Sequence, residues 1–246
     1  MILRRITKHV KDQNWFAVAL DFFIVVAGIL IAFQITNWNE AREDRGAEQR
    51  YLAELARDLE ADITEAQDGQ VRSLGILALS ELILETINPD YARPAFWSPI
   101  DVDAVPDERF LSYPYAALAG RSFLISSDST YEELIQTGNI AVLSDRALVS
   151  DLIRFYKDVR ENTSDDRTLT RQDDAFEDYF RRNGIGLGDR ASVEEVIALV
   201  EEDKEFHGLV KSGAFLSLWQ YRRLVRIEGE AVALLASVNA SRKGAP

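Results

Sequence analysis

The sequence predicts an all-α protein. In it an N-terminal transmembrane helix continues into a long helix, packed in an antiparallel helical bundle with an irregular Pro/aromatic-rich loop. Three observations predict this. Apolar residues recur at steps of three and four along most of the chain, the period of one helix face. No stretch after residue 40 alternates with period two, as a half-buried strand would. One run, Phe22–Trp38 (FFIVVAGILIAFQITNW), is apolar almost throughout.

The 246 residues carry a formal net charge of −13. Arg4, Arg5, Lys8 and Lys11 against Asp12 make residues 1–20 +3, so the remainder sums to −16. An acidic body repels phosphates, so no nucleic acid partner is expected. The basic arm suits an anionic membrane face. The absence of cysteine excludes disulfides, thiolate zinc sites and cysteine nucleophiles. The expected division is a cytoplasmic basic arm (1–14), a transmembrane anchor (15–38) and an extracytoplasmic helical bundle domain (39–246) with an irregular insertion at 88–127.

From Trp15 to Ile35 the anchor has 21 residues, and about 20 span a bilayer's hydrocarbon core. Trp15 and Trp38 stand at its ends as interfacial anchors. The preceding basic arm places the N-terminus in the cytoplasm, although Arg42, Arg45 and Arg50 follow closely. A buried core helix and a cleaved signal peptide are the competing readings. No A-x-A-like site follows the run, which disfavours cleavage. Asp21, Gly28 and Ala32 share one helical stripe. Three readings are open for Asp21: an interfacial carboxylate just outside the span, a helix–helix contact with the small pair Gly28 and Ala32, or proton transport. About 14 residues precede the anchor, so signalling across the membrane would need a membrane partner.

Residues 37–87 read as one helix with the stripe Leu52, Leu55, Leu59, Ile63, Ala66, Leu74 and Leu77. Glu48, Asp58 and Asp62 are assigned to its solvated faces with the other charges, and Gly69 and Gly75 to a bend. Asn88-Pro89-Asp90 stops it. Segment 88–127 holds five of the six prolines and seven aromatics, a composition that suits a loop wrapping the helical body. Ser129-x-x-Glu132 reads as a capping box opening a helix that Gly138-Asn139 closes. Ser144-Asp145 starts the next helix, with Leu148, Leu152, Ile153, Phe155, Tyr156 and Val159 on its apolar face and a break near Asn162–Asp166. Asn183–Gly188 is a connector, and Ser192-x-x-Glu195 caps a short helix. The last helix, about Lys204–Ser241, carries the stripe Phe206, Val210, Gly213, Ser217, Gln220 or Tyr221, Leu224, Ile227, Ala231, Leu234 and Val238.

No motif assembles a catalytic site. Asp203-x-x-x-His207 is a weak metal pair. Asp173, Asp174, Glu177 and Asp178 read as a solvated face. Asp101-x-Asp103 has Pro106 where a calcium loop needs glycine. Gly120-Arg-Ser122 lacks the second glycine of a nucleophile elbow, and Gly184-x-Gly-x-Gly188 follows a helix where a dinucleotide site needs a strand. No enzyme activity, cofactor or metal is expected.

Two blocks resemble a bacterial membrane-anchored family of unknown function. The apolar run closing on Gln34-Ile-Thr-Asn37-Trp-Asn-Glu40 is similar to that family's anchor, which ends in Q-x-x-N-W-N-E. Thr130-Tyr-Glu-Glu-Leu134, Thr137-Gly-Asn-Ile140, Leu143-Ser-Asp145 and Phe155-Tyr156 are similar to its second block. The resemblance implies a single-pass membrane protein with a helical extracytoplasmic domain and supplies no activity. The expected partners are the lipid bilayer and an envelope or membrane protein, or a second copy of the chain. The expected role is non-enzymatic interaction or scaffolding. The alternative is a ligand-sensing module signalling through a membrane partner, which a polar pocket lined by the 88–127 segment would favour.

Overall fold

The computed structural model describes residues 15–93, 108–120, 124–164 and 167–244, with side chains described within 19–93, 108–120, 124–161 and 170–243. Every regular element among them is helical. In order these are α1 (Trp15–Ile87), α2 (Glu108–Ser112), α3 (Pro114–Ala119), α4 (Ser129–Thr137), a 3-10 turn (Asn139–Val142), α5 (Arg146–Ser164), α6 (Arg167–Asn183), α7 (Val193–Glu202) and α8 (Lys204–Gly244). The chain divides into two units, Met1–Arg50 and Tyr51–Pro246. Residues of α1 belong to both.

In the first unit, Phe22, Phe23, Ile24, Val25, Ile29, Leu30, Ile31, Phe33 and Ile35 are all exposed. A helix apolar on every side has no polar face for water, and lipid is the solvent that suits it. Among the described residues this is the one helix long and apolar enough to cross a membrane, and none of its apolar window is buried. That separates it from a core helix, whose apolar residues would be covered.

The second unit is built on two antiparallel stretches. Leu52, Leu55, Leu59 and Ala66 of α1 share a buried cluster with Leu224, Ile227, Ala231, Leu234 and Val238 of α8. Farther along, Leu77, Ile83 and Leu84 of α1 share a second cluster with Phe206, Val210, Ala214 and Leu218 of α8. As α1 advances, its partners on α8 recede. Between the clusters, Gln67 and Gln70 both donate to the Glu228 carboxylate, each at 2.6 Å. Helices α5, α6 and α7 all pack on α8. The predicted α8 stripe is buried at every position, with Gln220 inside and Tyr221 half-buried.

Helix ends follow local chemistry in most places. Helix α1 stops before Asn88-Pro89, and Arg93 turns back to grip the buried Glu81 carboxylate, with Nη2 2.6 Å from Oε2. Gly138 closes α4 with φ +75°, in the left-handed region where a Cβ is costly. Asp145 Oδ1 accepts the amides of Ala147 and Leu148 at 3.0 Å, while its Oδ2 accepts the Ser241 hydroxyl at 3.0 Å and ties the end of α8 to the start of α5. Ser192 and Glu195 form a reciprocal capping box on α7.

Three expectations need correction, and one glycine has a further use. Helix α1 runs without a break through Gly69 and Gly75, and a Cβ on Gly75 would run into the Phe110 ring, so this glycine makes a seat for an aromatic. Segment 88–127 is not irregular throughout, because it contains α2 and α3, the latter opened by Pro114, whose fixed φ suits a first helical position. Tyr115 and Leu118 of α3 enter the second core cluster, so this part does wrap the body. Residues 94–107, with Phe96 and Trp97, lie outside the described residues. Glu48 and Asp62 are buried, not solvated. Finally, Ser129 and Glu132 do not form a capping box: the residue before the helix is Asp128, no side chain of which caps it. Glu132 instead binds Arg160 and accepts from Gln136 at 3.1 Å.

Candidate functional site

The anchor residues sit on α1 of the first unit. Trp15 opens the helix, and its side chain lies outside the described residues. Asp21 is exposed, and nothing lies within 4 Å of a Cβ built on Gly28. Ala32 accepts the Thr36 hydroxyl at 3.0 Å through its carbonyl. Trp38 is exposed, with the Arg42 guanidinium 5.9 Å from the centre of its ring. The helix thus carries Asp21, Gly28 and Ala32 at spacings that place them on one stripe, exposed among the described residues.

The Asp203 and His207 pair has another use. Asp203 Oδ1 accepts the amides of Glu205 (2.7 Å) and Phe206 (3.1 Å), and its Oδ2 accepts the Tyr179 hydroxyl at 3.0 Å. Those amides, then the phenol, hold its pKa below the usual carboxylate range. It caps α8 and fixes Tyr179, whose ring stacks on Phe206 at 4.9 Å and 6°. Asp178 is paired with Arg181 and Arg182. Among the described residues, no group of three or more His, Cys, Asp and Glu stands close enough to hold a metal ion. Asp101, Asp103 and Ser122 lie outside the described residues.

The richest chemistry in the second unit gathers where α4 begins. The first amides of a helix have no partner inside it. Here α1 supplies the partners: Asp58 Oδ2 accepts from Thr130 N at 3.1 Å, and Asp62 Oδ1 accepts from Ser127 N at 2.6 Å. The Ser126 hydroxyl donates to Asp62 Oδ2 at 3.3 Å. Asp58 therefore caps α4 from another helix, while Asp62, one turn farther along α1, holds the segment that leads into it. Asp62 is fully buried, and burial outweighs its two hydrogen bonds, raising its pKa from 3.8 to about 6, with smaller pushes from Asp58 and Asp128.

Tyr156 of α5 completes the arrangement. It is 2 % exposed, and its ring stacks on Tyr131 at 4.6 Å. Its hydroxyl is buried with no hydrogen-bond partner among the described residues. Burial, then the charges of Asp62, Asp58 and Asp128, push its pKa up. Beside it opens a cavity of about 400 Å³. Its apolar wall is Leu124, Ile125 and Val159; its polar wall is Ser126, Asp128, Tyr156 and Arg160. Arg160 Nη2 is 3.2 Å from Asp128 Oδ2 and also grips Glu132. Asp128 and Glu132 thus share one guanidinium.

Sequence reasoning placed Tyr156 correctly on an apolar face and placed Asp58 and Asp62 on the wrong one. Their partners are backbone amides more than sixty residues away, which no side-chain spacing reveals. The one available signal was the i, i+4 recurrence of aspartate beside the Leu55–Leu59 stripe. No protein-family model matches the chain, and no characterised protein or solved structure matches it.

Proposed function

We propose that the protein is a single-pass, membrane-anchored interaction or scaffolding protein of the bacterial envelope, without catalytic activity of its own. The observation that carries this reading is the helix at 22–35, apolar on every side and uncovered, leading into a helical unit with a well-packed core. The carboxylates of that unit support it: Asp58, Asp145 and Asp203 are engaged in holding helix N-termini, and Asp62 in holding the segment before α4. In this reading the N-terminus is cytoplasmic and the C-terminal unit lies outside the inner membrane, as the basic arm suggests. The partner is another envelope or membrane protein, or a second copy, and the resemblance of the anchor to a membrane-anchored family points the same way.

The chain has no cysteine, so single cysteines report topology cleanly. With Arg242→Cys, a membrane-impermeant maleimide labels intact spheroplasts; with Lys8→Cys, it labels only after lysis. The reverse pattern overturns the topology. Purification of the tagged chain from mild detergent is expected to recover a partner or an oligomer, and a strictly monomeric, partner-free species counts against scaffolding.

A second reading is ligand sensing relayed through a membrane partner, for which the segment 88–127 supplies a cavity wall, though a mainly apolar one and not the polar pocket that would favour it. The cavity beside Tyr156 is lined by Leu124, Ile125 and Ser126, which belong to the 88–127 segment.

A further inference from the structure

We infer that the end of the second unit at which α8 finishes docks on the anionic headgroups of a bilayer, through Arg146, Arg242 and Lys243. The inference goes beyond scaffolding and rests on the reading of the 22–35 helix as a membrane anchor.

Charge is segregated along this unit. Residues 1–50 hold seven basic and six acidic residues, so residues 51–246 sum to −14. Helix α8, with 41 residues, is about 60 Å long and joins two ends of opposite sign. Around its start, Glu201, Glu202 and Glu205 are exposed and Asp203 is half-buried, with Lys204 among them. Its last turn carries Arg242 and Lys243.

A hydrogen bond adds a third cation to the basic end. The Ser241 hydroxyl donates to Asp145 Oδ2 at 3.0 Å, which sets Arg242 and Lys243 beside Arg146, the first residue of α5. All three side chains are exposed, and none has an ion-pair partner among the described residues. Arg242 donates to the neutral Asn239 side chain at 3.2 Å. The carboxylates of this end are engaged elsewhere: Asp145 accepts two amides and a hydroxyl, and Glu133 accepts the Tyr51 hydroxyl at 3.0 Å. Glu54 faces Arg57 at 3.8 Å. Segments 134–144 and 231–241 carry no charge at all. Arg242 and Lys243 suit the negative end of their helix dipole, but Arg146 stands at the positive end of its own, where a cation is disfavoured.

The occupant follows from where the chain enters. Tyr51 is the first residue of the unit, with twelve residues between it and Trp38. Its hydroxyl accepts from Asn139 Nδ2 at 2.9 Å, and Leu52 packs in the cluster that holds Leu143, Leu148 and Val238. The stretch that leads in from the anchor therefore arrives at the basic end, not the acidic one. An anionic bilayer attracts Lys and Arg within about a Debye length and repels carboxylates. A short tether keeps that surface at high effective concentration, whereas an acidic protein would have to be captured from solution.

The test uses the full chain in nanodiscs that contain a headgroup-labelled acceptor lipid. A donor dye on Ala141→Cys, an exposed position of the 3-10 turn, reports the basic end. A dye on Gly188→Cys, in the connector after α6, reports the other end, where Arg182 pairs with Glu205. Energy transfer from position 141 is expected to be higher in discs containing phosphatidylglycerol than in discs of phosphatidylcholine alone, and to fall back in high salt. Transfer from position 188 is expected not to rise. The triple variant Arg146→Glu, Arg242→Glu and Lys243→Glu, at exposed positions, should lose the rise at unchanged melting temperature, and the same triple to Gln, which adds no acid, should lose it too. Equal transfer in the two lipids, or a rise that survives both triples, overturns the docking and leaves the anchor standing. If lipid charge has no effect and the Glu triple instead releases a protein that co-purifies in mild detergent, an acidic protein takes the bilayer's place. A chain that does not enter the discs overturns anchor and docking together.

Discussion

Asp58 Oδ2 lies 3.1 Å from the backbone nitrogen of Thr130, 72 positions along the chain, and accepts its hydrogen. The carboxylate does for α4 what an N-terminal capping side chain ordinarily does from within the helix. Replacing a capping side chain by alanine costs about 0.5–2 kcal/mol. Asp58→Ala is therefore expected to lower the unfolding free energy from urea denaturation by that amount, with a matching fall in midpoint, and Asp58→Asn, which keeps an acceptor, by less. An unchanged midpoint for Asp58→Ala would remove the cap from the account.

Asp62 sets a pH dependence. Its carboxyl titrates at about 6 when folded, against 3.8 unconstrained. Between those values the native state holds more protons than the unfolded chain, so the contribution of Asp62 to stability falls as pH rises from about 4 to about 6 and stays low above. The full swing is about 3 kcal/mol, from about 1.4 kcal/mol for each pKa unit. Asp58 and Asp128 are the charges that face it, and Ser126 and Ser127 are its donors. Asp62→Asn should gain on the wild type across this window. Denaturation at pH 4, 5, 6 and 7 checks it, and parallel curves for the two proteins would contradict it.

Gly75 and Gly229 are both helical and predict opposite signs. A Cβ at Gly75 meets Phe110 Cε2 at 2.3 Å, and a Cβ at Gly229 meets nothing within 4 Å. Gly75→Ala is expected to cost about 1–3 kcal/mol through overpacking. Gly229→Ala should gain about 0.5–1 kcal/mol by removing backbone freedom from a helix interior. Thermal melts of the two variants should move in opposite directions, and a stable Gly75→Ala protein would mean that Phe110 can vacate its seat.

At Gly138 the backbone, not the space, is the obstacle. Its φ of +75° costs an L-residue roughly 1–2 kcal/mol. Gly138→Ala should show that loss in chemical denaturation, and Gly138→Asn should recover part of it, because asparagine tolerates the left-handed region. Equal stability of the two variants would speak against the cap.

Gly28 separates intermolecular from intramolecular contact. Since no described residue lies within 4 Å of a Cβ there, Gly28→Leu is expected to leave the packing of its own protomer unchanged. If the stripe Asp21, Gly28 and Ala32 meets a partner helix, this variant should recover less partner or oligomer from detergent at unchanged melting temperature. Recovery at the wild-type level would assign the stripe to lipid.

The long helices were legible because burial imposes a repeat. The α8 positions Phe206 through Val238 face one core and show it at steps of three and four. Punctuation was legible where it is local: Gly138, Asp145, Ser192 and Pro89 act on neighbours within a few residues. Ser129-x-x-Glu132 had the letters of a local cap without its bonds, because Arg160 claims Glu132 from another helix. Asp62 was misread for the same reason. A carboxylate on a helix is ordinarily solvated, and only the docking of the 124–128 segment buries this one. The orphaned hydroxyl of Tyr156 is a property of three-dimensional neighbours and leaves no trace in periodicity.

The bonds from Asp58 and Asp62 to the start of α4 and the residues before it also tie together two distant parts of the chain in time. Asp58 and Asp62 stand on one turn of α1, and the amides they hold belong to Thr130 and Ser127. Neither amide can lose its acceptor unless that turn of α1 separates from the segment leading into α4. Hydrogen–deuterium exchange at Ser127 and Thr130 is therefore governed by the same opening event that undocks α1 from α4. Half-buried Ser127 and buried Thr130 should both exchange with the slowness of the core, and their rates would read out, in a single measurement, how often α1 and this segment come apart.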